Sequence, residues 1–186
     1  MTAVKSELIA TDGIITIRPV EVTDADAIYE AAWLSQPQIY PWMSWCHPEY
    51  TRDESLAWIV MKEEDLRNNN EFAMAIIENA NGRMLGTVGI NMVNKLHHYA
   101  NLGYWIRTDA ARRGYATAAT KLMTRIGFEK LGLNRVEIVM AVENTASERV
   151  AQKSGATREG VLREAQFLHG RYHDAAIYSI VRSDFE

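Results

Sequence analysis

The stretch RRGYATAATKLM, residues 112–123, places two arginines and a glycine directly before an alanine-rich, helix-favouring segment. No side chain at this point can cap the helix that we predict over residues 114–130. The start of a helix leaves backbone N–H groups unpaired and carries the positive end of the helix dipole, so it attracts an anion. Because Gly114 has no Cβ, a phosphate can approach the backbone closely, and Arg112 and Arg113 add positive charge. The stretch therefore favours an anion site over its alternative, a tight turn with two solvated arginines.

The composition of the chain is that of a globular protein. It has 186 residues, of which 47% are hydrophobic and 24% charged, so we expect a single domain over residues 1–186. The net charge of −4 argues against a broad electrostatic contact with nucleic acid. The single cysteine, Cys46, rules out an intrachain disulfide, and no apolar run is long enough to cross a membrane. The N-terminus also lacks the apolar core of a signal peptide, so we expect a cytosolic protein.

Strand and helix patterns alternate along the rest of the chain. The predicted strands lie at residues 13–19, 71–78, 83–93, 99–107 and 134–142, and a hairpin closes the chain at 160–182. Further helices are predicted at 23–34, 51–66 and 144–155, while the proline-containing residues 37–50 are expected to be irregular. Thr51 and Glu54 form a capping-box pattern, and Asn144 is the expected cap of its helix. The strand–helix–strand order in the second half predicts a central mixed sheet.

Four segments in the right order resemble one enzyme family. Residues 113–116, Arg-Gly-Tyr-Ala, resemble the acetyl-CoA pyrophosphate loop of the GNAT N-acetyltransferases, whose pattern is Gln/Arg-x-x-Gly-x-Gly/Ala. LGYWIR (102–107) is similar to the splayed fourth strand of that family, and ENTASERVAQKSGA (143–156) to its second CoA-contacting segment. The closing EAQFLHGRYHDAAIYSIV (164–181) resembles the tail of the RimJ/RimL branch, which acetylates the N-terminal amines of ribosomal proteins. The resemblance covers nearly the whole chain.

The resemblance implies a fold, a co-substrate and a set of binding residues. The fold is the GNAT fold, an α/β (α+β) arrangement with a central mixed, mostly antiparallel twisted sheet of about seven strands flanked by helices. The co-substrate is acetyl-CoA, no metal is expected, and a homodimer is a candidate assembly because relatives in this branch often pair. The residues expected against acetyl-CoA are Trp105, Ile106, Arg107, Arg112, Arg113, Gly114, Tyr115, Ala116, Thr117, Asn144 and Ser147.

Three positions depart from the pattern of the family. Ala111 stands at the Gln/Arg position of the pyrophosphate loop, which makes Arg112 the candidate to replace that contact. Ala151 stands where many GNAT enzymes carry the tyrosine that protonates the departing thiolate. Ala156 replaces the phenylalanine that usually follows the glycine at the end of the segment. Because Ala151 carries no acidic proton, another proton donor is expected.

Ser147 is the expected proton donor to the thiolate. It follows Asn144 by three residues, on the first predicted turn of its helix, where it can face the cofactor cleft. In RimL-like enzymes the matching serine is assigned this role. A thiol with a pKa of ~8.5 leaves fairly well unaided, so the donor is expected to contribute a modest factor. The alternative is a serine that only satisfies free backbone N–H groups, and Asn144 is expected to cap the helix, to bind the pantetheine arm, or both.

Glu71, at the start of a predicted strand, is the candidate general base. Its alternatives are His97 and His98 in a predicted turn, or an exposed glutamate without a catalytic role. A peptide α-amine with a pKa of ~8 is about one-tenth neutral at pH 7, whereas a lysine at ~10.4 is less than about a thousandth neutral. An N-terminal amine therefore needs only weak help from a base. Cys46 has no predicted base partner, so we expect a spectator rather than a nucleophile.

Two further features are expected around the reacting carbonyl. A bulge near Leu102 and Gly103 would free an N–H group to stabilise the developing charge, although a glycine there equally serves packing. The aromatic segment YPWMSW (40–45) lies where the branch forms its acceptor pocket, and a loop folded onto the core is the alternative. The expected acceptor-binding residues are Tyr40, Trp42, Trp45 and Tyr172, with His173 and Asp174 beside them.

The sequence therefore predicts a RimJ/RimL-like enzyme that transfers an acetyl group from acetyl-CoA to a primary amine in a ternary complex. The preferred acceptor is an N-terminal α-amine, such as that of a ribosomal protein. One alternative is a small amine, for example a polyamine, an amino-acid analogue or an aminoglycoside. The other is a non-catalytic acyl-CoA-binding module, against which Ser147 argues because a pure binder needs no acid beside the thiol.

Overall fold

Eight strands form one sheet in the computed structural model of the chain, which describes residues 7–185. The strands are β1 Ala10–Thr11, β2 Ile15–Pro19, β3 Phe72–Glu78, β4 Arg83–Asn94, β5 Tyr99–Ile106, β6 Arg135–Ala141, β7 Thr157–Leu168 and β8 Arg171–Val181. Their order is β1-β2-β3-β4-β5-β6-β8-β7, and each neighbouring pair is antiparallel except β5 and β6. The helices are α1 Ala25–Ile39, α2 Arg52–Arg67, α3 Tyr115–Glu129, α4 Thr145–Lys153 and α5 Arg182–Phe185, with 3-10 turns at Val22–Asp24 and Thr108–Ala110. The predicted mixed, mostly antiparallel sheet flanked by helices is confirmed, with eight strands rather than about seven.

Two differences from the predicted elements lie in the first half of the chain. β1 has two residues, too few for any periodicity to reveal. α1 continues through Pro37 to Ile39, so the expected irregular stretch begins later than predicted. A proline removes one N–H donor from a helix, but less than one turn follows Pro37 here. The N–H of Tyr40 still donates to the carbonyl of Gln36 (2.9 Å), which closes the last turn.

The caps predicted for α2 and α4 are both present. The N–H of Glu54 donates to Thr51 Oγ1 (3.3 Å), and the N–H of Thr51 donates back to Glu54 Oε2 (2.8 Å). At the start of α4, the N–H of Ser147 donates to Asn144 Oδ1 (3.1 Å). These short-range bonds fix where the two helices begin.

The sheet lies between two helical layers, each with its own apolar cluster. Met74 and Ile76 of β3 belong to the cluster that includes Leu122 of α3, whereas Ala75 between them belongs to the cluster that includes Ile59 of α2. Because successive side chains of a strand point to opposite faces, α3 and α4 cover one face and α1 and α2 cover the other. None of the helices in the described part of the chain is both long and apolar enough to span a membrane.

The parallel strands β5 and β6 pair only at their first residues. Tyr99–Asn101 pairs with Arg135–Glu137, and the ladder ends there. β6 stays in the sheet because it pairs with β8 as far as Ala141. From Leu102 onward β5 therefore diverges from β6 and has one open edge, which faces the gap between the two strands. α3 follows the end of β5 and α4 follows the end of β6, so both helices begin at the open end of this gap.

The bulge predicted near Leu102 and Gly103 is wrong. Both residues pair in register with β4, opposite Ile90 and Gly89 respectively, and the irregularity lies at residues 91–94 of β4 instead. The open edge of β5 arises because β6 diverges from it. This divergence involves strands that are far apart in the sequence, so no local pattern in LGYWIR encodes it.

Candidate active site

The start of α3 is an open helix N-terminus without a side-chain cap, as the sequence predicts. Gly114 precedes the helix with a φ of +87° and offers no capping side chain. A Cβ built on Gly114 would meet no heavy atom within 4 Å, so the space around it is free. Arg112 and Arg113 are exposed beside it, and Arg112 has a φ of 64°. The turn combines unpaired N–H groups, the helix dipole and two cations, which are the components of an anion site.

The two arginines of this turn differ in their surroundings. Arg113 Nη1 lies 4.0 Å from Glu78 Oε1, and the same carboxylate accepts a hydrogen bond from the Tyr115 hydroxyl. The bonds from Tyr115 and Asn81 lower the pKa of Glu78, so this carboxylate is charged and partly neutralises Arg113. Within residues 7–185, Arg112 makes no hydrogen bond or ion pair. Arg112 is therefore the unpaired cation of the turn, and its replacement of the contact missing at Ala111 stays a prediction.

The open edge of β5 presents only some of its backbone polar groups. The N–H of Arg107 donates to the carbonyl of Leu85 in β4 (2.7 Å). The carbonyl of Trp105 also points toward β4. A Cβ placed on Gly86 of β4 would lie only 2.1 Å from this carbonyl oxygen. Alternate residues of a strand direct their polar groups to opposite edges, so Tyr104 and Ile106 direct theirs into the gap. Of the three residues predicted here, Ile106 presents its backbone to the gap and Trp105 and Arg107 do not.

The side chain of Arg107 is structural as well. It is 5% exposed and donates to Asp109 Oδ1 (2.7 Å) and to Glu30 Oε1 (3.2 Å). A third bond reaches the carbonyl of Met84 (3.3 Å). Arg107 thereby ties the end of β5 to α1 and β4. The N–H group and the guanidinium of Arg107 are thus bonded within the protein, which argues against a contact with acetyl-CoA, and the predicted contact stays a prediction.

Ser147 faces β5 across the gap. Its Oγ lies 2.9 Å from the hydroxyl oxygen of Tyr104, and the Tyr104 hydroxyl also donates to the Ser147 carbonyl (3.0 Å). Burial raises the pKa of Tyr104 to about 12, so the phenol keeps its proton at neutral pH. Asn144, which accepts from the Ser147 N–H, holds this first turn of α4 in place. The predicted pair of Asn144 and Ser147 therefore lies at the gap.

A small cleft of about 60 Å³ occupies the gap itself. Its walls are residues 102–104 of β5 and 138–141 of β6, and Asn144, Ser147 and Gln166 also line it. Trp42 lines this cleft as well, and its expected role in binding the acceptor stays a prediction.

A larger cavity of about 470 Å³ lies on the α1/α2 face of the sheet. Its floor contains Ala73, Gly89 and Gly103, which are direct cross-strand neighbours. Because these three neighbouring residues have small side chains or none, space remains above the sheet. Residues of α1, α2 and the segment after α1 form the opposite wall of this space. The Phe, Tyr and Trp residues that line the large cavity are Trp45, Tyr50, Trp58, Phe72, Tyr104 and Trp105. Met43, Gly103 and Tyr104 line both spaces, so the small cleft and the large cavity meet at these residues.

Glu71 lines the large cavity, as predicted, but it is not a free carboxylate. It accepts a hydrogen bond from Lys62, which also donates to Asp65 Oδ2 (2.9 Å). Burial lowers the pKa of Lys62, but the bonds from these two carboxylates outweigh burial and leave the pKa raised. A carboxylate paired with a cation is a weak base, because its protonation breaks the ion pair. This pairing argues against the predicted role of Glu71 as general base.

A second charged group, which the sequence analysis missed, lies on the wall of the large cavity. His47 Nε2 is 2.7 Å from Glu54 Oε1, and His47 Nδ1 is 3.5 Å from Glu49 Oε2. The bond to Glu54 raises the pKa of His47, so the ring stays protonated to a higher pH than usual. The other oxygen of Glu54 belongs to the capping box with Thr51. His47 and Glu54 are therefore both engaged in hydrogen bonds with protein groups.

The expected acceptor residues are divided among different places. Trp45 lines the large cavity and lies 5.6 Å, ring to ring, from Trp105. Tyr40 lines neither space, since its ring packs at 3.9 Å against the ring of His169. Tyr172 is 65% exposed, packs against Phe167 and also lines neither space. Both rings make contacts of the β7–β8 hairpin, and the roles of Tyr40 and Tyr172 in acceptor binding stay predictions.

The remaining candidates lie away from both spaces. Cys46 is fully buried, and burial raises the pKa of its thiol to about 11, which agrees with a spectator. His97 and His98 are exposed in the turn between β4 and β5. His173 is buried between Arg171 and Glu143, and Asp174 is exposed. Among residues 7–185, no group of three or more His, Cys, Asp or Glu side chains is arranged to hold a metal ion.

Comparison with known proteins relates the chain to N-acetyltransferases. A family model described as "Acetyltransferase (GNAT) domain" matches residues 15–157. The Bacillus subtilis protein named "Putative ribosomal N-acetyltransferase YdaF" is 27% identical over 173 residues, which is 92% of this chain and 93% of that protein. The spermidine N(1)-acetyltransferase of Vibrio cholerae is 26% identical over 110 residues, which is 59% of this chain and 64% of that protein.

A solved structure of RimL, a ribosomal L7/L12 alpha-N-protein acetyltransferase in complex with coenzyme A, has the same fold. It superposes with a TM-score of 0.86 at 18% identity, covering 93% of this chain and 97% of that chain. The predicted fold is confirmed by this likeness.

Proposed function

The chain belongs to the GNAT acetyltransferase family, and we propose that it transfers the acetyl group of acetyl-CoA to the N-terminal α-amine of a protein or peptide. The observation that carries this choice of acceptor is the large cavity, whose walls are aromatic and whose carboxylates are already paired with cations. Without a free base, the enzyme is expected to prefer amines that are partly neutral in solution. α-Amines are more than about a hundredfold richer in the neutral form than lysine side chains at pH 7.

The proposed donor site begins at the turn before α3. The pyrophosphate of CoA would lie against the N–H groups of residues 112–117, where Gly114 leaves space and Arg112 is unpaired. An anion at a helix start replaces the missing cap and is attracted by the helix dipole. The open, uncapped start of α3 supports this assignment.

The pantetheine arm would occupy the gap between β5 and β6. There Tyr104 and Ile106 direct their backbone N–H and C=O groups away from β4, so an extended amide chain can bond to them as an added strand. Asn144 and Ser147 lie on the other side of the same gap. Acetyl-CoA supplies the acetyl group as a thioester, and the joined spaces would bring its carbonyl next to the acceptor in the large cavity.

Ser147 is the proposed proton donor to the departing sulfur. It lines the small cleft, whereas Ala151, one turn further along α4, carries no proton to give. The acceptor nitrogen attacks the acetyl carbon directly, and the proton that this nitrogen loses passes to solvent. Glu71 is reassigned from general base to the charged wall of the large cavity, because Lys62 holds it in an ion pair.

A small cationic amine is the second candidate acceptor. Lys62 lies between Asp65 and Glu71, and His47 lies between Glu49 and Glu54, so each group has one more carboxylate than cations. This excess negative charge would attract an ammonium group. The similarity to a spermidine N(1)-acetyltransferase supports the same alternative.

Release of the CoA thiol, measured with three acceptors at neutral pH, separates these candidates. The acceptors are a short peptide with a free N-terminus and no lysine, its N-blocked counterpart with one lysine, and spermidine. We expect the highest kcat/KM with the free N-terminus. A clear preference for spermidine would replace the N-terminal proposal with the small-amine candidate. The absence of thiol release with all three would contradict both.

A further inference from the structure

The hydroxyl of Tyr104 bridges two oxygens of Ser147, at 3.0 Å from the carbonyl and 2.9 Å from Oγ. We propose that Tyr104 is a positioning residue for acetyl transfer, which orients the Ser147 hydroxyl and stabilises its oxygen as the proton leaves. This inference rests on the proposed role of Ser147 as proton donor. The phenol that assists the proton donor would then come from β5, because α4 carries Ala151 and not a tyrosine.

The hydrogen-bonding capacity of the three oxygens allows two arrangements. A phenol has one proton to donate, and a backbone carbonyl can only accept. When Tyr104 donates to the Ser147 carbonyl, the Ser147 hydroxyl donates to the phenol oxygen. When Tyr104 donates to Ser147 Oγ instead, the Ser147 proton is free to point into the cleft. The second arrangement is the one that proton transfer requires.

The position of Tyr104 suits this role. Its ring packs against the apolar cluster on the α3/α4 face of the sheet, which fixes the direction of the hydroxyl. Tyr104 also lines both the small cleft and the large cavity, so it lies where the two meet. Burial keeps the phenol protonated at neutral pH, so it remains a donor throughout the reaction. Hydrogen bonds in such an enclosed site are stronger than in water.

The protons of this step balance when solvent accepts one proton from the nitrogen and returns one proton to Ser147. As the carbon–nitrogen bond forms and the carbon–sulfur bond breaks, the Ser147 proton moves to sulfur. Tyr104 then donates to Ser147 Oγ and stabilises the charge that this oxygen gains. The nitrogen releases its excess proton to solvent, and Ser147 regains a proton from solvent. Tyr104 keeps its own proton at the start and the end of the cycle.

A double-mutant cycle tests the proposal. Tyr104→Phe removes the hydroxyl and leaves the ring in the apolar cluster, and Ser147→Ala removes the group through which Tyr104 is proposed to act. We expect Tyr104→Phe alone to lower kcat roughly five- to thirtyfold. In the Ser147→Ala background the same substitution should change kcat by less than about twofold, because the two residues act as one unit. Tyr99→Phe, the same change elsewhere on β5, should leave kcat unaltered.

Two measurements made without acceptor, of stability and of acetyl-CoA affinity, complete the test. In urea unfolding, the loss in the double variant should be less than the sum of the losses caused by Tyr104→Phe and Ser147→Ala, since both remove the bond between Tyr104 and Ser147 Oγ, whereas only Tyr104→Phe removes the bond to the Ser147 carbonyl. Acetyl-CoA can be titrated into the enzyme in a calorimeter when no acceptor is present, because no transfer then occurs. Its affinity should change less than about threefold for Tyr104→Phe.

The outcomes that overturn the proposal are distinct from those that overturn the role of Ser147. A wild-type kcat for Ser147→Ala removes the role of Ser147 and this inference with it. If Ser147→Ala is slow and Tyr104→Phe is not, only Tyr104 is excluded. Equal losses from Tyr104→Phe in both backgrounds would mean that the phenol acts independently of Ser147, which also overturns the proposal.

Discussion

Gly114 satisfies a backbone requirement and a ligand requirement at one position. Its φ of +87° lies in the region that L side chains rarely adopt, and no heavy atom lies within 4 Å of the place where a Cβ would stand. Serine or aspartate, the usual residues before a helix, would place an oxygen on the first-turn N–H groups and occupy the space that the proposed pyrophosphate needs. The missing cap is therefore part of the proposed donor site.

Comparison of Gly114→Asp with Gly114→Asn separates charge from backbone strain. The two side chains are similar in size and suffer the same positive φ, but only aspartate repels an anion. We expect acetyl-CoA affinity to fall at least about tenfold more for Gly114→Asp than for Gly114→Asn, measured by calorimetry. The melting temperature of the aspartate variant should not be lower than that of the asparagine variant, because aspartate also caps helices. Equal affinities in the two variants would place the pyrophosphate elsewhere.

The variant Glu71→Gln tests whether Glu71 acts as a general base or only lines the large cavity. Glu71 is bonded to Lys62 on the cavity wall, so we expect kcat at neutral pH to change less than about threefold, with the pH profile of kcat unaltered. A change in KM for the acceptor is compatible with its place on the cavity wall. Glu64→Gln, on an exposed part of α2, is the control. A fall in kcat of about a hundredfold or more, together with loss of the acidic limb of the profile, would restore Glu71 as the base.

At the scale of elements, the start of α2 joins a helix cap to the wall of the large cavity. Glu54 accepts hydrogen bonds from Thr51 through one oxygen and approaches His47 through the other. The bonds from Thr51 and His47 lower the pKa of Glu54, and the bond to Glu54 raises the pKa of His47. The charged pair therefore persists over a wider pH range than the isolated groups would allow.

The stability of the protein should depend on pH through His47. Because the folded pKa of His47 is raised above the unfolded value of ~6.5, its stabilising contribution is complete below that value. The contribution is lost as the pH rises through the folded pKa. We expect the melting temperature of the wild type to exceed that of His47→Gln most at pH 5.5–6, with the difference shrinking toward pH 9. A difference that stays constant or grows with pH would contradict the ion pair.

Local patterns predicted the elements well, and contacts between distant residues were the part that they could not predict. The start of α3 at Gly114 and the cap at Asn144 depend on residues within one turn, so the sequence contains their whole cause. The bond of Tyr104 to Ser147 spans 43 residues and exists only because β5 and β6 diverge. The ion pair of Glu71 with Lys62 likewise needs α2 packed beside β3. For the same reason, the sequence could not show that the side chains of Arg107 and Glu71 already have partners within the protein.

At the scale of the whole molecule, the proposed site consists of two adjoining spaces, one at the open edge of β5 and one over the α1/α2 face of the sheet. The small cleft lies toward α4, the large cavity lies toward α1 and α2, and Met43, Gly103 and Tyr104 line both. The segment after α1 contributes to each space, with Trp42 at the cleft and Trp45 at the cavity. The single-domain organisation, the homodimer and the cytosolic location stay predictions.

Substitution of Trp42 and Trp45 should show which space binds acetyl-CoA and which binds the acceptor. Trp45→Ala removes an aromatic wall of the large cavity, so we expect KM for the acceptor peptide to rise at least about fivefold while KM for acetyl-CoA stays the same. Trp42→Ala should have the opposite pattern, because Trp42 lines the cleft between β5 and β6. Steady-state kinetics with each substrate varied in turn measures both. An identical pattern for the two variants would mean that the two spaces do not hold different substrates.

The most direct test of the proposed function is the site of acetylation on one peptide that carries both a free N-terminus and an internal lysine. The peptide is incubated with the enzyme and acetyl-CoA at pH 7, and fragment masses locate the added acetyl group. The carboxylates that line the large cavity among residues 7–185 are paired with Lys62 and His47, so we expect the acetyl group on the α-nitrogen in a large majority of the product, because that amine is far richer in its neutral form. Acetylation of the lysine at an equal or higher level, or no acetylation at all, would contradict the account.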